Sequence, residues 1–214
     1  MSMNCPLCGA SQSTEFHRDA RRSYQRCDSC SLVFVPRQYY LTPEAERAEY
    51  LLHQNRVDDP GYRGFLSRLA NPLRARLAAE SVGLDFGCGP GPALAAMLRE
   101  AGHRMVLYDP NFANEPHCFT QQYDFITATE VVEHLHQPGR ELARLWSCLK
   151  AGAWLGVMTK LVRSPQAFSS WHYKNDPTHV CFFSRGTWMW WSEMHKADAL
   201  EFVGDDVILL RRGQ

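Results

Sequence analysis

The chain has 214 residues, and 23 Lys+Arg balance 23 Asp+Glu, so the formal net charge is zero. That length holds one full domain plus a small attachment, and the neutral balance gives no support to a broad basic face for nucleic acid. With 45% hydrophobic residues the chain can bury a core, which excludes wholesale disorder. No run approaches the roughly 18–20 apolar residues of a membrane span. Residues 1–20 are polar and lack a signal-peptide apolar region, so a soluble, cytoplasmic protein is expected.

Eight cysteines could form a disulfide framework, but no secretion signal accompanies them and the chain is large enough for its own core. Four crowd the first thirty residues as Cys5-Pro-Leu-Cys8 and Cys27-Asp-Ser-Cys30, eighteen residues apart. Two such knuckles can present four thiolates tetrahedrally to Zn²⁺. Ser23–Arg26 reads as a strand entering the second knuckle, and Ser31–Val35 as the strand leaving it. A segment this short cannot bury a sufficient core, so metal would supply much of its folding energy. Residues 1–38 are therefore read as a zinc ribbon. Its purpose stays open between a staple on the neighbouring domain and a substrate-recognition element.

Residues 39–80 read as a helical connector. Thr42-Pro43-Glu44 combines an N-cap, a first-turn proline and an acid, and predicts a helix to about His53. Asp58-Asp59-Pro60-Gly61 reads as a break. Leu66, Leu69, Leu73 and Leu77 then recur at helical spacing, with a kink or restart expected at Pro72. Arg63, Arg68, Arg74 and Arg76 form either a solvated face or contacts to an anionic substrate.

Residues 81–214 form the main domain. A short apolar strand runs into Asp85-Phe86-Gly87-Cys88-Gly89-Pro90-Gly91-Pro92, and Ala93–Leu98 opens a helix. Glycines at alternate positions permit a tight turn and close approach of a ligand. Pro90 and Pro92 each remove an N–H that a pyrophosphate would need, so an amino-acid tail suits this turn better than a dinucleotide. The next strand, Met105–Tyr108, ends in Asp109, placed to accept from both hydroxyls of a ribose.

On these residues the chain resembles the class I S-adenosylmethionine (SAM)-dependent methyltransferases. Asp85–Gly91 matches their glycine-rich first motif, Asp109 their ribose-binding acid, and Tyr123–Leu135 their fourth strand and following turn. The resemblance implies SAM as cofactor, held by Asp85, Gly87, Cys88, Gly89, Gly91 and Asp109, with Glu130 orienting it. The acid often found after the third strand is missing, which leaves Phe119, Thr120 or Gln121 for the adenine edge. Only about fourteen residues separate Asp109 from Asp124, so the second helix and third strand are abbreviated to 111–122. A helix over 138–150, a buried strand over 154–159, a last helix over 187–195 and terminal strands over 199–203 and 206–211 complete the pattern. The expected fold is α/β: a Rossmann-like, seven-stranded, mostly parallel sheet with helices on both faces.

A hydroxyl acceptor needs a base or a metal to become nucleophilic. Two segments offer one: Glu130-Val131-Val132-Glu133-His134, and the loop 171–184 with His172 and His179. Four of the six tryptophans lie between Trp171 and Trp191, which suggests a lid or an apolar substrate wall. The Glu-x-x-Glu-His spacing with a later histidine resembles small-RNA 2′-O-methyltransferases and ubiquinone-pathway enzymes. The former resemblance implies that Glu130, Glu133, His134 and His179 hold Mg²⁺ or another divalent ion. The alternatives are a metal-free catalytic His134 or His179, and a purely structural role. His172 reads as a lid residue.

The leading expectation is O-methylation of a small hydroxylated metabolite or glycoside. An RNA methyltransferase gripping nucleic acid with the ribbon is the alternative enzyme. A non-catalytic cofactor-binding interaction protein is the alternative of a different class. The sequence names neither the acceptor atom nor the oligomeric state.

Overall fold

The computed structural model describes residues 4–52 and 56–213. The chain begins with three antiparallel strands, β1 (Ser13–Arg18), β2 (Ser23–Cys27) and β3 (Val33–Phe34). Thr42 caps α1 (Pro43–Leu51), its hydroxyl accepting from the Ala45 amide at 3.3 Å. The expected helix end near His53 falls outside the described residues.

Asp59-Pro60 turns out to start a helix as well as to end a loop. The Asp59 carboxylate accepts from the Tyr62 amide at 2.6 Å, and Pro60 occupies the first turn of α2 (Pro60–Arg74). Pro72 does not restart it; α2 runs through that residue for one more half-turn, because tertiary packing of Leu66, Leu69 and Leu73 outweighs one lost backbone bond.

The main domain alternates strands and helices: β4 (Val82–Phe86), α3 (Ala93–Glu100), β5 (Arg104–Tyr108), β6 (Tyr123–Thr129), α4 (Pro138–Ser147) and β7 (Leu149–Met158). There follow α5 (Pro165–Ser169), β8 (Cys181–Phe182), α6 (Arg185–Met194), β9 (Ala197–Val203) and β10 (Val207–Arg212). The principal sheet has the order β5-β4-β6-β7-β10-β9; β10 runs antiparallel to both its neighbours, and the other adjacent pairs are parallel.

Six strands stand where seven were expected. The segment after Asp109 forms only an isolated bridge to Ala113 and a 3-10 turn at Pro116–Thr120, so β5 is the sheet edge. A parallel crossover needs a dozen or more residues before its strand begins, and this segment spends Pro110 and Pro116 on turns. The class stands: α/β, Rossmann-like, mostly parallel, with helices on both faces.

Alternate residues along β10 serve two cores. Val207 and Leu209 join Leu66, Leu69 and Leu73 of α2, Leu94 and Leu98 of α3, and Phe125. Ile208 and Leu210 join Leu142 and Leu145 of α4 and Trp188 and Trp191 of α6. This second core continues without a break into Tyr24, Leu32, Phe34 and Val35 of the N-terminal segment. The junction is tight: a Cβ on Gly139, at the start of α4, would lie 2.1 Å from the Leu7 carbonyl oxygen. The small sheet is itself completed from the far end of the chain, in the order β1-β2-β3-β8, with Val33 opposite Phe182 and Phe34 opposite Cys181. No helix among the described residues is long and apolar enough to cross a membrane.

Candidate active site

The carboxyl ends of β4, β5 and β6 open into a cleft of about 900 Å³. That is near the top of the range for ligand cavities, roughly 300–1,000 Å³, and leaves room for a cofactor and a second molecule. One half of the cleft is built by the glycine turn. Gly87 has φ +72° and donates to the Tyr108 carbonyl at 2.7 Å. A Cβ there would lie 2.4 Å from Val131 Cγ2, so this position excludes any side chain. Gly89 has φ +63° and only open space where a Cβ would point, so its backbone borders the cleft directly.

Asp109 ties the two loops together. One carboxylate oxygen accepts from the Gly89 amide at 3.0 Å, and the other from the amides of Asn111 and Phe112 at 2.8 and 3.2 Å. A carboxylate oxygen carries lone pairs for more than one donor, and Asp109 lines the cleft. Cys88 lines it too, its thiol pushed up to about 12 by burial and therefore protonated.

Three predicted cofactor residues stand back from the cavity wall. Asp85 is fully buried, accepts from the Thr127 hydroxyl at 2.8 Å and is pushed up to about 6 by burial. Gly91 supports the start of α3, its carbonyl accepting from Ala93. Phe119 packs edge-on against Tyr108, ring centroids 4.6 Å apart, beneath the Arg144 guanidinium at 3.6 Å. The wall near the end of β5 is formed instead by Tyr108, Asn111 and Phe112.

The other half of the cleft gathers the predicted acid, base and metal-ligand residues. Glu130 stands at φ +53° just past β6, its amide bonded to the Met158 carbonyl at 2.8 Å. A 3-10 turn, Val132–His134, then buries Glu133 and presents His134. His134 and His179 meet edge-to-face, with ring centroids 4.6 Å apart. Glu133, His134 and His179 each offer a ligand atom within 4.8 Å of the others; Glu130 lies outside this group.

Tyr173, which sequence reading passed over, joins the two glutamates. Its hydroxyl donates to Glu133 Oε1, lies 3.4 Å from Glu130 Oε2 and 3.2 Å from the Thr159 hydroxyl. Burial, reinforced by the charge of Glu133, pushes Glu130 up to about 8, and burial pushes Glu133 up to about 7. His179 Nδ1 lies 2.7 Å from the Tyr173 carbonyl, which can only accept, so Nδ1 carries the proton and Nε2 is the basic nitrogen.

Several expectations change here. Trp188 and Trp191 are core residues, and none of the tryptophans lines the cleft; the aromatic wall comes from Tyr50, Tyr62, Phe65 and Phe86. The connector thus contributes one side of the site, a placement that its capping signals do not reveal. His172 is exposed beside Lys160 and stands outside the cleft. Arg63, Arg68 and Arg76 pair with Glu100, Asp206 and Glu201, and Arg74 is exposed, so this set does not face the cleft.

In the N-terminal segment, Cys5, Cys8, Cys27 and Cys30 bring their sulphurs within 4.8 Å of one another. Cys5–Cys30 and Cys8–Cys27 stand 3.5 Å apart, and none forms a disulfide. A tetrahedral zinc with bonds of about 2.3 Å separates its sulphurs by about 3.8 Å, so the cluster fits that ion.

Comparison with known proteins adds the family. A family model described as a methyltransferase domain matches residues 59–197. No curated protein matches. Among solved structures, the chain is similar to 1,6-didemethyltoxoflavin-N1-methyltransferase of Burkholderia thailandensis, solved with 1,6-didemethyltoxoflavin and S-adenosylhomocysteine. The identity is 16%, with 95% of this chain and 100% of that one covered and a TM-score of 0.54. It is also similar to human N-acetylserotonin methyltransferase in complex with SAM, at 15% identity, 72% and 54% coverage and a TM-score of 0.50. An O-methyltransferase family protein of Burkholderia thailandensis gives 11%, 79% and 63%, and 0.51. Such distant likenesses speak for the fold, whereas the family model runs from α2 to the start of β9 and takes in four of the six strands of the principal sheet. The chain belongs to the methyltransferase-domain family and is a class I SAM-dependent methyltransferase.

Proposed function

We propose that this enzyme methylates a hydroxyl group of a small metabolite or glycoside, with His134 and His179 managing the hydroxyl's proton. The observation that carries the reading is the meeting of two imidazoles on the cleft wall, beyond the glycine turn. The residues for the cofactor are Gly87, Cys88, Gly89, Asp109 and Glu130 at the cavity wall, with Asp85, Gly91 and Phe119 supporting them from behind. SAM supplies an activated methyl group, so the protein's work is alignment, exclusion of water and removal of one proton. His179 suits the last task because Nδ1 is fixed as a donor and Nε2 takes the proton. Asp176 Oδ2, 3.7 Å from Nε2, then stabilises the imidazolium.

A second reading of the same residues has one observation in its favour. Glu133 Oε2 is buried without a hydrogen-bond partner, within a three-residue donor group. Glu133, His134 and His179 fit a divalent ion that would lower the pKa of a bound acceptor hydroxyl. Two imidazoles and one carboxylate suit a first-row transition metal better than Mg²⁺.

The ribbon's wiring into the fold supports a scaffold role over a nucleic-acid grip. Of its five arginines, Arg18, Arg21 and Arg22 bond within the chain, and Arg26 and Arg37 are exposed. We keep the division into ribbon (1–38), connector (39–80) and SAM-binding domain (81–214), and assign one structural Zn²⁺ to Cys5, Cys8, Cys27 and Cys30. Metal analysis of the purified protein should find that zinc, and Cys27→Ser should lose it.

The test of function is transfer from methyl-labelled SAM to a panel of phenols, catechols, sugars and nucleosides, beside total RNA. Label on a hydroxyl of a small acceptor, abolished by EDTA or not, supports the reading and separates its two forms. Label confined to RNA, or to nitrogen, overturns it.

A further inference from the structure

We propose that Arg22 is a positioning residue for the acceptor site, and that the zinc ribbon acts through it as the scaffold of the loop carrying Asp176 and His179. The inference rests on reading His179 as part of the acceptor site.

The loop between α5 and β8 has little regular structure to hold it. One short 3-10 turn, His172–Asn175, precedes a stretch whose backbone carbonyls have no strand or helix partner. Buried carbonyls need donors. They find them in the turn between β1 and β2, some 150 residues earlier in sequence. The Arg22 guanidinium is buried, and Nη2 donates to the carbonyls of Lys174 and Asp176 at 2.5 and 2.8 Å. Its Nη1 donates to the Pro177 carbonyl at 3.4 Å, and Nε to the Tyr24 hydroxyl at 3.0 Å. Arg21 donates to the carbonyl of Asn175 at 3.2 Å and to its side-chain oxygen. Four successive loop residues are thus gripped by two arginines.

The grip is charge-balanced. Lys174, buried in the same place, donates to Asp19 Oδ2 at 2.6 Å. The other Asp19 oxygen accepts from the amides of Arg21 and Arg22 at 2.9 and 3.0 Å, which shapes the turn that aims the guanidinium. Burial alone would raise the Asp19 carboxyl, yet Lys174 and these amides hold it below the usual carboxylate range.

From the gripped segment the chain passes directly into the site. The Thr178 amide and hydroxyl donate to Asp176 Oδ1 at 2.8 and 2.6 Å, and the His179 amide to the Asp176 carbonyl at 3.3 Å. His179 Nδ1 returns to the Tyr173 carbonyl, one residue before the gripped four. Beyond it, the Val180 amide bonds Glu133, the Val35 amide bonds Val180, and β8 closes the ribbon sheet. The loop is therefore clamped on one side by the ribbon and seated on the other against the turn after β6. Glycine-turn residues take no part, so the clamp governs the acceptor half alone. Arg22 serves three carbonyls and the Tyr24 hydroxyl from a fixed fork of five donors, which the three donors of an ammonium on one nitrogen cannot reproduce.

The experiment compares wild type, Arg22→Ala and Arg22→Lys, and needs no acceptor. Zinc content, calorimetry with S-adenosylhomocysteine, amide exchange over 173–180 and the NMR signal of the His179 Nδ1 proton are measured. Arg22→Ala should keep its zinc and bind S-adenosylhomocysteine within about twofold. Its 173–180 amides should exchange about tenfold faster or more, and the Nδ1 proton signal should broaden or vanish. Arg22→Lys should fall between the two. Wild-type exchange and an unchanged ring signal in Arg22→Ala overturn the proposal. So does faster exchange spread evenly over the sheet with loss of cofactor binding, which marks a residue of general stability only. Failure of the acceptor-site reading shows elsewhere, as full transfer by a His134→Ala/His179→Ala protein.

Discussion

The two halves of the cleft are built by opposite means. The cofactor half comes from one strand-turn-helix and the end of the next strand, with Gly87 bonded to Tyr108 and Gly89 to Asp109. The acceptor half is assembled from the turn after β6, a loop after α5, α1 and a clamp in the N-terminal ribbon. On the proposed assignment, cofactor recognition is local and self-supporting, whereas acceptor recognition depends on segments that the rest of the fold must bring together. This division fits an enzyme class in which the cofactor is shared and the acceptor varies.

The division can be broken most forcefully at the histidines. Replacing His134 and His179 together with alanine should cut methyl transfer by about 10²–10⁴-fold, while leaving S-adenosylhomocysteine affinity nearly unchanged in calorimetry. Loss of cofactor binding in that variant would show that the halves are not separable.

On the cofactor side, Gly87→Ala should weaken S-adenosylhomocysteine binding or destabilise the fold by about 3 kcal/mol, summing the left-handed backbone and the overlap with Val131. The acceptor loop's amide exchange should stay as in wild type; a loosened loop would tie the halves together. Asp109→Ala should cost about 2 kcal/mol of cofactor affinity, near thirtyfold, because it removes the acceptor shared by three amides and the proposed ribose partner. Unchanged binding would remove Asp109 from the cofactor site.

A smaller effect should appear in the pH dependence of stability. Glu130 and Glu133 ordinarily ionise near 4.5 but hold their protons to about 8 and 7 in the folded chain. Between those values the unfolded state releases protons first, so stability falls as pH rises through the window. The slope is at most about 1.4 kcal/mol per pH unit for each carboxyl. Asp85, pushed up to about 6, contributes the same sign only lower in the range. Above pH 6 the lowered Cys5, His103 and His195 act in the opposite sense, so the acceptor half is read as a difference: Glu133→Gln should have a less negative slope than wild type in urea titrations without added divalent ions. A slope between pH 6 and 8 that is the same in Glu133→Gln as in wild type contradicts the burial of Glu133 as a neutral group.

Local features were legible from residue order. The paired Cys-x-x-Cys knuckles, the Asp85–Gly91 turn, Asp109 and the Thr42 cap each carry their meaning within a few neighbouring residues, because turn geometry, capping and ligand spacing are short-range properties. The same holds for the pairing of Glu133 with His134. Their meeting with His179 followed from the expected strand order, not from any local signal.

What tertiary structure decided is non-local. Two residues of β8 complete a sheet whose other strands lie near the N-terminus, and no pattern in so short a segment announces its partner. Trp188 and Trp191 fill the core instead of walling the cleft, since an apolar run looks alike whichever apolar surface covers it. Tyr173 and Arg22 stand in the same case: a tyrosine in a polar loop and an arginine in a turn acquire roles only from what is buried against them. Residue order set which chemistry was available, and packing set which groups lost their water and had to find one another.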